Sequence, residues 1–471
     1  MQLVETDYLI IGSGAAGLAF ADTLIDESTA HITIVDRHGK PGGHWNDAYS
    51  FVTLHQPSAF YGVNSMALGT NRKDTAGANK GLYELASGAE VSGYFDRVMN
   101  QKLLPSSRVS YHPMCNYLGD DAGSHRFVSI LSGAETQVTV RKKVIDATYY
   151  SPTVPSTHTP KYKVAAGRRL VTPNALAHLW QGKQERAKHF MIIGAGKTAM
   201  DVGVWLLNAG AQPDDISWVV PRDSWLVNRL QTQPGAEFFN DAIGGQANQM
   251  EAFAKANSIN NLFARLEACD AMLRIDPTRK PSMFHFATIS KGEVELLKTI
   301  KNVIRLGHVQ SIEPQKMALD QGHVALPDGT LCIDCTASAI EQRPIAPIFQ
   351  GNKVLLQLVR VPLPTFSAAL TAYVEAHYDD DATKNRLCGT VPFPDSLDSY
   401  PRSIMANMMN QFHWSQDKVL RAWIRESRLD GFGKLIASAD PSDEAKQAIL
   451  LRLKEGAMAA MGNMKQLIAV R

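Results

Sequence analysis

Six small residues near the N-terminus have types and a spacing that could bind a phosphate group. They follow a short apolar run and are Gly12, Ser13, Gly14, Ala15, Ala16 and Gly17. In the spacing G-x-G-x-x-G, the first glycine permits a tight turn, the second lets backbone approach a pyrophosphate, and the third lets a helix pack on a strand. The pyrophosphate then lies at the positive end of the helix dipole, on free N–H groups. This segment predicts a dinucleotide-binding turn.

An acidic residue follows this turn at the distance that ribose recognition requires. Asp36 lies 19 residues after Gly17, at the end of the next apolar run, and Arg37 comes directly after it. A carboxylate at this place accepts hydrogen bonds from the hydroxyls of an adenosine ribose. We therefore assign Asp36 and Arg37 to the same cofactor site.

A second turn of the same kind lies about 180 residues further along the chain. Its residues are Gly194, Ala195, Gly196, Lys197 and Thr198, followed by Ala199 in the third glycine position. After the next apolar run, Arg222 takes the position of Arg37, and no acid occupies the position of Asp36. Arginine forms charge-assisted, often bidentate hydrogen bonds with phosphate oxygens. The pattern favours NADPH over NADH, although the neighbouring Asp223 would favour NADH if it faced the ribose, and Arg222 could instead be a solvated surface charge.

Each turn is flanked by elements that would hold it at the edge of a sheet. Short apolar runs precede and follow both turns, as is typical of strands buried on both faces of a parallel sheet. The predicted strand, helix and strand cover 8–11, 15–25 and 31–35 in the first copy, and 189–193, 197–207 and 216–220 in the second. We therefore predict an α/β fold with two Rossmann-like dinucleotide-binding domains.

The chain of 471 residues has room for about three folding units of roughly 150 residues. We expect the second domain to be inserted in the first. The predicted parts are 1–165 for the first domain, 166–310 for the second with a helical insertion at about 236–300, 311–345 for the return to the first, and 346–471 for a mainly helical C-terminal region. Within them we expect a helix at 83–99, strands at 109–117 and 127–140, a linker at 151–175 and a last helix at 443–461.

Together with the segment Gly42-Gly43-His44-Trp45, the two turns resemble those of flavin-containing monooxygenases and their Baeyer–Villiger relatives. The resemblance implies that the first domain binds FAD and the second binds NADPH. It also implies that Gly43, His44 and Trp45 lie along the flavin ring or the ribityl chain. The segments 144–148 and 332–337 resemble the Ala-Thr-Gly segments where such chains pass between domains.

A loop at 54–58 is similar to the Asn-Ser-Pro loop of the same family, with Gln56 in place of the asparagine. In the family this loop faces the flavin and the nicotinamide. The resemblance therefore implies that His55 and Gln56 lie near the reaction centre, as candidate catalytic residues. A hydrogen-bonded structural role is an equal alternative for His55.

The function that follows from the resemblance is an NADPH- and O2-dependent monooxygenase, in which a C4a-(hydro)peroxyflavin oxidises a small-molecule substrate. The cofactor would carry this chemistry, so we expect no metal site. One alternative is a disulfide oxidoreductase that uses Cys332 and Cys335 as a dithiol, although such a pair favours a helix N-terminus. The other is a non-catalytic flavoprotein, because 167–180 lacks the family's usual inter-domain motif.

Composition narrows the classes of partner. The 48 basic and 46 acidic residues leave a net charge of +2 without any block of like charges, so we expect no nucleic-acid partner. No apolar run reaches the roughly 18 residues of a membrane span. The N-terminal residues do not form a secretory leader, and the five scattered cysteines fit reduced thiols. These features predict a cytoplasmic protein.

Overall fold

The computed structural model describes residues 2–121, 124–150, 152–181, 186–337 and 343–469. Both helices and strands are numbered in chain order. The strands are β1 Gln2–Ile11, β2 Ile32–Val35, β3 Val109–His112, β4 Cys115–Asp121, β5 Ser124–Ser129, β6 Glu135–Asp146, β7 Lys163–Val164, β8 Arg169–Val171, β9 His189–Ile193, β10 Ile216–Val219, β11 Ser224–Asn228, β12 Met272–Leu273, β13 Met283–Ile289, β14 Asn302–Ile304, β15 Val309–Ile312, β16 Lys316–Leu319, β17 Gly322–Ala325, β18 Thr330–Asp334, β19 Phe349–Gln350 and β20 Lys353–Leu355.

The α-helices surround the sheets that these strands form. They are α1 Ala15–Glu27, α2 Gly88–Arg97, α3 Pro173–Leu176, α4 Lys197–Asn208, α5 Gly245–Lys255, α6 Ile259–Ala268, α7 Lys291–Leu297, α8 Pro364–His377, α9 Asp381–Leu387, α10 Tyr400–Gln416, α11 Lys418–Glu426, α12 Gly431–Ala437 and α13 Glu444–Ala469.

An eight-stranded sheet carries the first glycine-rich turn. Its central strands β6, β1, β2 and β3 are parallel, β20 extends the sheet beyond β6, and the β4–β5 hairpin pairs with β6. The run Leu9-Ile10 is fully buried between β2 and β6. Helix α1 packs on one face of this sheet and is covered in turn by α8. The first turn therefore lies at the carboxyl edge of a buried parallel sheet.

A five-stranded parallel sheet, ordered β14–β10–β9–β18–β8, carries the second turn. Helices α4 and α7 pack together beside it around Leu206 and Leu297. Two smaller sheets, β12–β11–β13 and β17–β16–β15–β7, flank it. The predicted α/β fold class with two Rossmann-like domains is confirmed.

The chain returns to the first sheet later than the sequence predicts. The segment 330–334, within the predicted return at 311–345, forms β18 and pairs in parallel with β8 and β9 of the second sheet. The return occurs instead at 349–355, where β20 pairs with β6. An apolar run such as Leu331-Cys332-Ile333 suits the centre of either sheet equally well. Residues 338–342 of the predicted return lie outside the described residues.

Several predicted elements have different ends in the structure. The helix expected at 83–99 begins only at Gly88, because Ser87 and Glu90 form a reciprocal capping box. The strand expected at 109–117 is divided after His112, where Met114 has a φ of +52°. The expected insertion at 236–300 includes strands β12 and β13, and the expected linker at 151–175 includes β7 and β8. The last helix extends to Ala469.

The C-terminal helices contact both domains. Helix α8 packs on α1, whereas α13 packs along α5 in the insertion of the second domain. Trp414 of α10 and Leu420 of α11 belong to the same buried core as β1 and α1. This region therefore covers the two domains from outside instead of forming a separate core.

Candidate functional site

The first turn has the geometry that its glycines predict. Gly12 has a φ of +99°, which favours glycine, and a Cβ there would lie 3.1 Å from the Cγ2 of Thr148. A Cβ on Gly17 would overlap the carbonyl oxygen of Gly12, so helix α1 can approach the turn only with glycine at this position. No side chain caps α1. Its first N–H groups therefore remain available as donors to an anion.

The Gly42-Gly43 segment lies against this turn. The N–H of Gly42 donates to the carbonyl of Ser13 at 2.9 Å, and a Cβ on Gly43 would lie 2.9 Å from the Cα of Gly14. Both Gly42 and Gly43 have positive φ, of +121° and +57°. The two glycine pairs thus form one surface of exposed backbone, as an extended cofactor would need.

Asp36 is buried beside the first turn. One carboxylate oxygen accepts the N–H and the hydroxyl of Ser13 at 2.5 and 2.9 Å, and the other accepts the N–H and Nδ1 of His38 at 2.7 and 2.9 Å. Burial acts to raise the pKa of Asp36, but the hydrogen bonds from His38 and Ser13 outweigh it and lower the pKa. Arg37 is exposed. Asp36 is therefore an ionised group that already holds the turn in place.

His38, which the sequence analysis did not select, joins two carboxylates. Its Nε2 lies 2.8 Å from Asp47, while its Nδ1 bonds Asp36. The hydrogen bond that His38 donates to Asp36, followed by the one that it donates to Asp47, raises the pKa of His38 against the effect of burial. The spacing Asp36-x-His38 is visible in the sequence. The pairing with Asp47 is not visible in the sequence, because it depends on the 3-10 turn at Gly43–Asp47.

His44 and Trp45 lie in that same 3-10 turn, half buried. The indole of Trp45 donates to the hydroxyl of Tyr61 at 2.8 Å. Burial lowers the pKa of His44 to about 4, so its imidazole is neutral at pH 7. These side chains stand next to Gly43 and the first turn, where the resemblance expects the flavin.

The second turn repeats the first, with open space at its centre. Gly194 has a φ of +125°, and a Cβ there would lie 2.6 Å from the carbonyl oxygen of Cys335. A Cβ on Gly196 would meet nothing within 4 Å, and no side chain caps α4. Ala199, in the third glycine position, is fully buried. Backbone N–H groups of Lys197 and Thr198 therefore begin α4 beside an unfilled space.

The side chain of Lys197, a predicted cofactor-binding residue, takes part in an ion cluster. Its ammonium pairs with Asp201, one helical turn further along α4, and lies 3.9 Å from Glu293. Glu293 in turn pairs with the fully buried Arg229 at 2.6 Å. Because an acid at i+4 lies on the same helix face, the ammonium turns into this ion cluster. Only the backbone of Lys197 faces the predicted cofactor position.

His55 lies at the junction of the two domains. Its carbonyl accepts a hydrogen bond from Arg229 Nε at 3.1 Å, and its imidazole is reached by solvent although protein atoms surround it closely. These surroundings, followed by the charges of Lys197 and Arg229, lower its pKa to about 4. Gln56 is half buried. His55 thus lies near Lys197 of the second turn and Arg229, and its imidazole is neutral at pH 7.

Asp223, the acid that would favour NADH if it faced the ribose, is paired with an arginine. Asp223 accepts two hydrogen bonds from Arg305, at 2.9 and 3.1 Å, and Arg305 also bonds Asp276. Arg222 is exposed, and no hydrogen bond or ion pair joins it to another described residue. A small cavity at the ends of β9 and β10, lined by Ala195, Val220, Asp223, Ser224, Arg274 and Arg305, adjoins this strand end. The position thus offers one unpaired guanidinium for a phosphate group.

Cys332 and Cys335 lack the properties of a redox dithiol. Both are free thiols and less than 5% exposed, at the end of β18. Burial raises the pKa of Cys332 to about 11 and that of Cys335 well above its usual value. A reactive thiol requires a lowered pKa and some exposure, so this geometry does not favour the disulfide oxidoreductase alternative.

Metal ligands and membrane-spanning helices are two further features that bear on function. No cluster of three or more histidine, cysteine, aspartate or glutamate side chains in them is placed to hold a metal ion. Within the same ranges, no helix combines the length and the apolar character that crossing a bilayer demands.

Comparison with known sequences identifies relatives of this chain. Residues 10–71 match the family model described as an NAD(P)-binding Rossmann-like domain. The chain is 44% identical over 449 residues to the uncharacterized proteins Rv2000 of Mycobacterium tuberculosis (strain H37Rv) and Mb2023 of Mycobacterium bovis. Each alignment covers 95% of this chain and 82% of the relative. The chain belongs to the family of these mycobacterial proteins.

Solved structures with a similar fold include two ketone monooxygenases. The polycyclic ketone monooxygenase of the thermophilic fungus Thermothelomyces thermophila matches with a TM-score of 0.53 and 14% identity, over 97% of this chain and 89% of that chain. Cyclohexanone-bound cyclohexanone monooxygenase matches with a TM-score of 0.50 and 12% identity, over 79% and 86%. The predicted resemblance to flavin and Baeyer–Villiger monooxygenases is confirmed at the level of the fold.

Proposed function

We propose that this chain is an NADPH-dependent flavoprotein monooxygenase, with FAD at the first turn and NADPH at the second. One observation carries the proposal. Two glycine-rich turns, each at the start of an uncapped helix, belong to adjoining domains, and His55 of the first domain is bonded to Arg229 of the second. Each uncapped helix start offers N–H donors to one pyrophosphate.

At the FAD position, the contacts of Asp36 define how a ribose would bind. A carboxylate has about four lone-pair sites, and Ser13 and His38 together occupy four. Two of the four donors are backbone N–H groups, whereas the Ser13 hydroxyl and the His38 ring can rotate away. We infer that the ribose hydroxyls take the places of these two side-chain donors, and that the backbone contacts stay.

The remaining FAD contacts would come from backbone and aromatic groups. Gly12, Gly14 and Gly43 expose the main chain for the pyrophosphate and the ribityl chain, and His44 and Trp45 would lie along the flavin. With its pKa near 4, His44 can exchange hydrogen bonds with a flavin without adding a positive charge.

At the NADPH position, Arg222 would bind the 2′-phosphate. Two observations support this assignment. Arg305 holds Asp223 in a bidentate pair, and Arg222 itself is exposed without a partner among the described residues. The backbone at Gly196 would receive the pyrophosphate, because the space beside it is open. When bound, the nicotinamide would supply a hydride to the flavin, and the reduced flavin would react with O2.

The test begins with the FAD-loaded protein. Under anaerobic conditions NADPH should bleach the visible flavin absorption, and NADH should do so much less effectively. After oxygen is admitted, cyclohexanone serves as the first probe because a protein of similar fold binds it. We expect it, or a sulfide or amine of similar size, to increase NADPH consumption and to lower the yield of H2O2.

Each opposite result would assign a different function. FAD binding without NADPH-driven bleaching would indicate a non-catalytic flavoprotein. Bleaching followed by stoichiometric H2O2, with every ketone, sulfide and amine tested, would indicate an NADPH-dependent reductase or oxidase.

A further inference from the structure

A segment of the first domain is tied to the helix that begins at the second turn. This segment, which we call the bridge segment, is 49–55 and begins four residues after Trp45. The hydroxyl of Tyr49 donates to Asp201 of α4 at 2.7 Å. Tyr49 is 6% exposed and the Asp201 side chain 12%, so little water competes for this bond. The bond therefore connects the flavin side of the proposed site to the NADPH side.

The bridge segment follows one face of α4. Lys197, Asp201 and Trp205 lie four residues apart and therefore on the same side of the helix. Lys197 pairs with Asp201, and Phe51 of the bridge segment stacks on Trp205 at 4.7 Å with an interplanar angle of 19°. Asp201 is thus bonded from two sides, by the bridge segment and by the first residue of its own helix.

The contacts close into a ring that returns to the bridge segment. Lys197 lies 3.9 Å from Glu293, Glu293 pairs with Arg229 at 2.6 Å, and Arg229 donates to the carbonyl of His55 at 3.1 Å. The ring holds two cations and two carboxylates, so its charges cancel. Removing one charged member would leave another buried charge unpaired, which costs free energy. The charged side chains therefore hold one another in place as a unit.

From this ring we infer that Asp201 is a positioning residue for electron transfer between the two cofactors, acting through Tyr49 and Lys197. The inference rests on the proposed function. In the step concerned, the nicotinamide loses one hydride, with its two electrons, and the flavin gains it. Such a transfer requires reacting atoms about 3–3.5 Å apart, and a displacement of about 1 Å can slow a reaction by about 10²-fold. The ring fixes the bridge segment relative to the second turn and thereby sets this distance.

A readout in the cofactor-free protein tests the ring itself. Tyr49→Phe and Asp201→Asn should each speed amide hydrogen exchange about tenfold in the bridge segment and the first turn of α4. The first variant removes the hydrogen bond to the carboxylate, and the second removes the charge that strengthens it and pairs with Lys197. The matched control is Tyr378→Phe, which removes a similar bond to Asp417, 2.6 Å long, in the C-terminal helices. This control should leave exchange at the bridge segment unchanged, and unchanged exchange in the first two variants would overturn the inference.

Anaerobic stopped-flow reduction of the FAD-loaded variants supplies the second readout. We expect the limiting rate to fall about 10- to 100-fold in Tyr49→Phe and in Asp201→Asn. The double variant should be no slower than the slower single variant, because the two residues act as one unit. The apparent Kd for NADPH should not rise, since Asp201→Asn frees the Lys197 ammonium for the pyrophosphate.

The outcomes separate this inference from the proposed function. Wild-type reduction rates in both variants would overturn the inference alone. A parallel loss of rate, NADPH affinity and thermal stability, shared by Tyr378→Phe, would show a general structural effect and overturn it as well. If NADPH does not reduce the wild-type flavin, the proposed function fails, and hydrogen exchange then decides only whether the ring joins the domains.

Discussion

Replacing Arg222 by alanine should change the preference between the two nicotinamide cofactors. A hydrogen bond to a charged group contributes about 1.5–3 kcal/mol, and about 1.4 kcal/mol corresponds to a factor of ten in affinity. Losing the contact with the 2′-phosphate therefore predicts a 10- to 150-fold rise in the KM for NADPH. Because Arg222 is exposed and solvent screens such pairs, we expect a value near tenfold. The KM for NADH should not change.

The assay is the initial rate of anaerobic flavin reduction at varied NADPH and NADH. Arg425→Ala, an exposed arginine on α11, is the matched control and should leave both KM values unchanged. Equal losses for NADPH and NADH in Arg222→Ala would refute the reasoning, because they would place Arg222 near a part common to both cofactors. An unchanged KM for NADPH would show that Arg222 is a solvated surface charge.

Three further substitutions test other parts of the site. Gly14→Val should lose FAD, because its side chain would enter the space proposed for the pyrophosphate, as measured by the bound flavin after gel filtration; retained flavin would contradict the assignment. Changing Glu293, whose pKa is about 2, to glutamine leaves a buried arginine unpaired and should lower the free energy of unfolding in urea by about 3–5 kcal/mol. Breaking the exposed ion pair of Glu251 should cost less than about 1 kcal/mol, and equal losses for the two would contradict the argument. Asp36 raises the pKa of His38, so His38 should stabilise the FAD-free protein fully below about pH 6.5 and lose that contribution as pH rises through the raised pKa. The difference in unfolding free energy between wild type and His38→Gln should therefore shrink from about pH 6 to pH 9, and a constant difference would contradict the ion-pair assignment.

The parts of the fold that local patterns encode were predicted from the sequence. Tyr8 to Ile11 and 189–193 are apolar runs before glycine turns, and both form central parallel strands. Strand β1 begins earlier, at Gln2, because its first half, which lies outside the apolar run, also pairs with β6. The start of α2 was missed although Ser87-x-x-Glu90 is a capping-box spacing visible in the sequence.

The features that were not predicted from the sequence depend mainly on contacts between residues far apart in the chain. Tyr49 and Asp201 are 152 residues apart, and no periodicity relates them. Strand β18 could belong to either sheet, since a doubly buried apolar run carries no mark of its neighbours. The pairing of Lys197 with Asp201 has a local i,i+4 signal, but it was not predicted.

The charges around the second turn explain why the proposed preference for NADPH rests on Arg222. Lys197 is neutralised by Asp201, and Arg305 is held by Asp223 and Asp276. Backbone N–H groups at the start of α4 can hold a pyrophosphate, but NADPH and NADH both carry that group, so these donors cannot distinguish them. Discrimination requires a cation placed at the 2′ position and not already paired. Arg222, which follows β10, is not paired with another described residue, and we propose that it lies at the 2′ position. The comparison of NADPH with NADH therefore tests this one guanidinium.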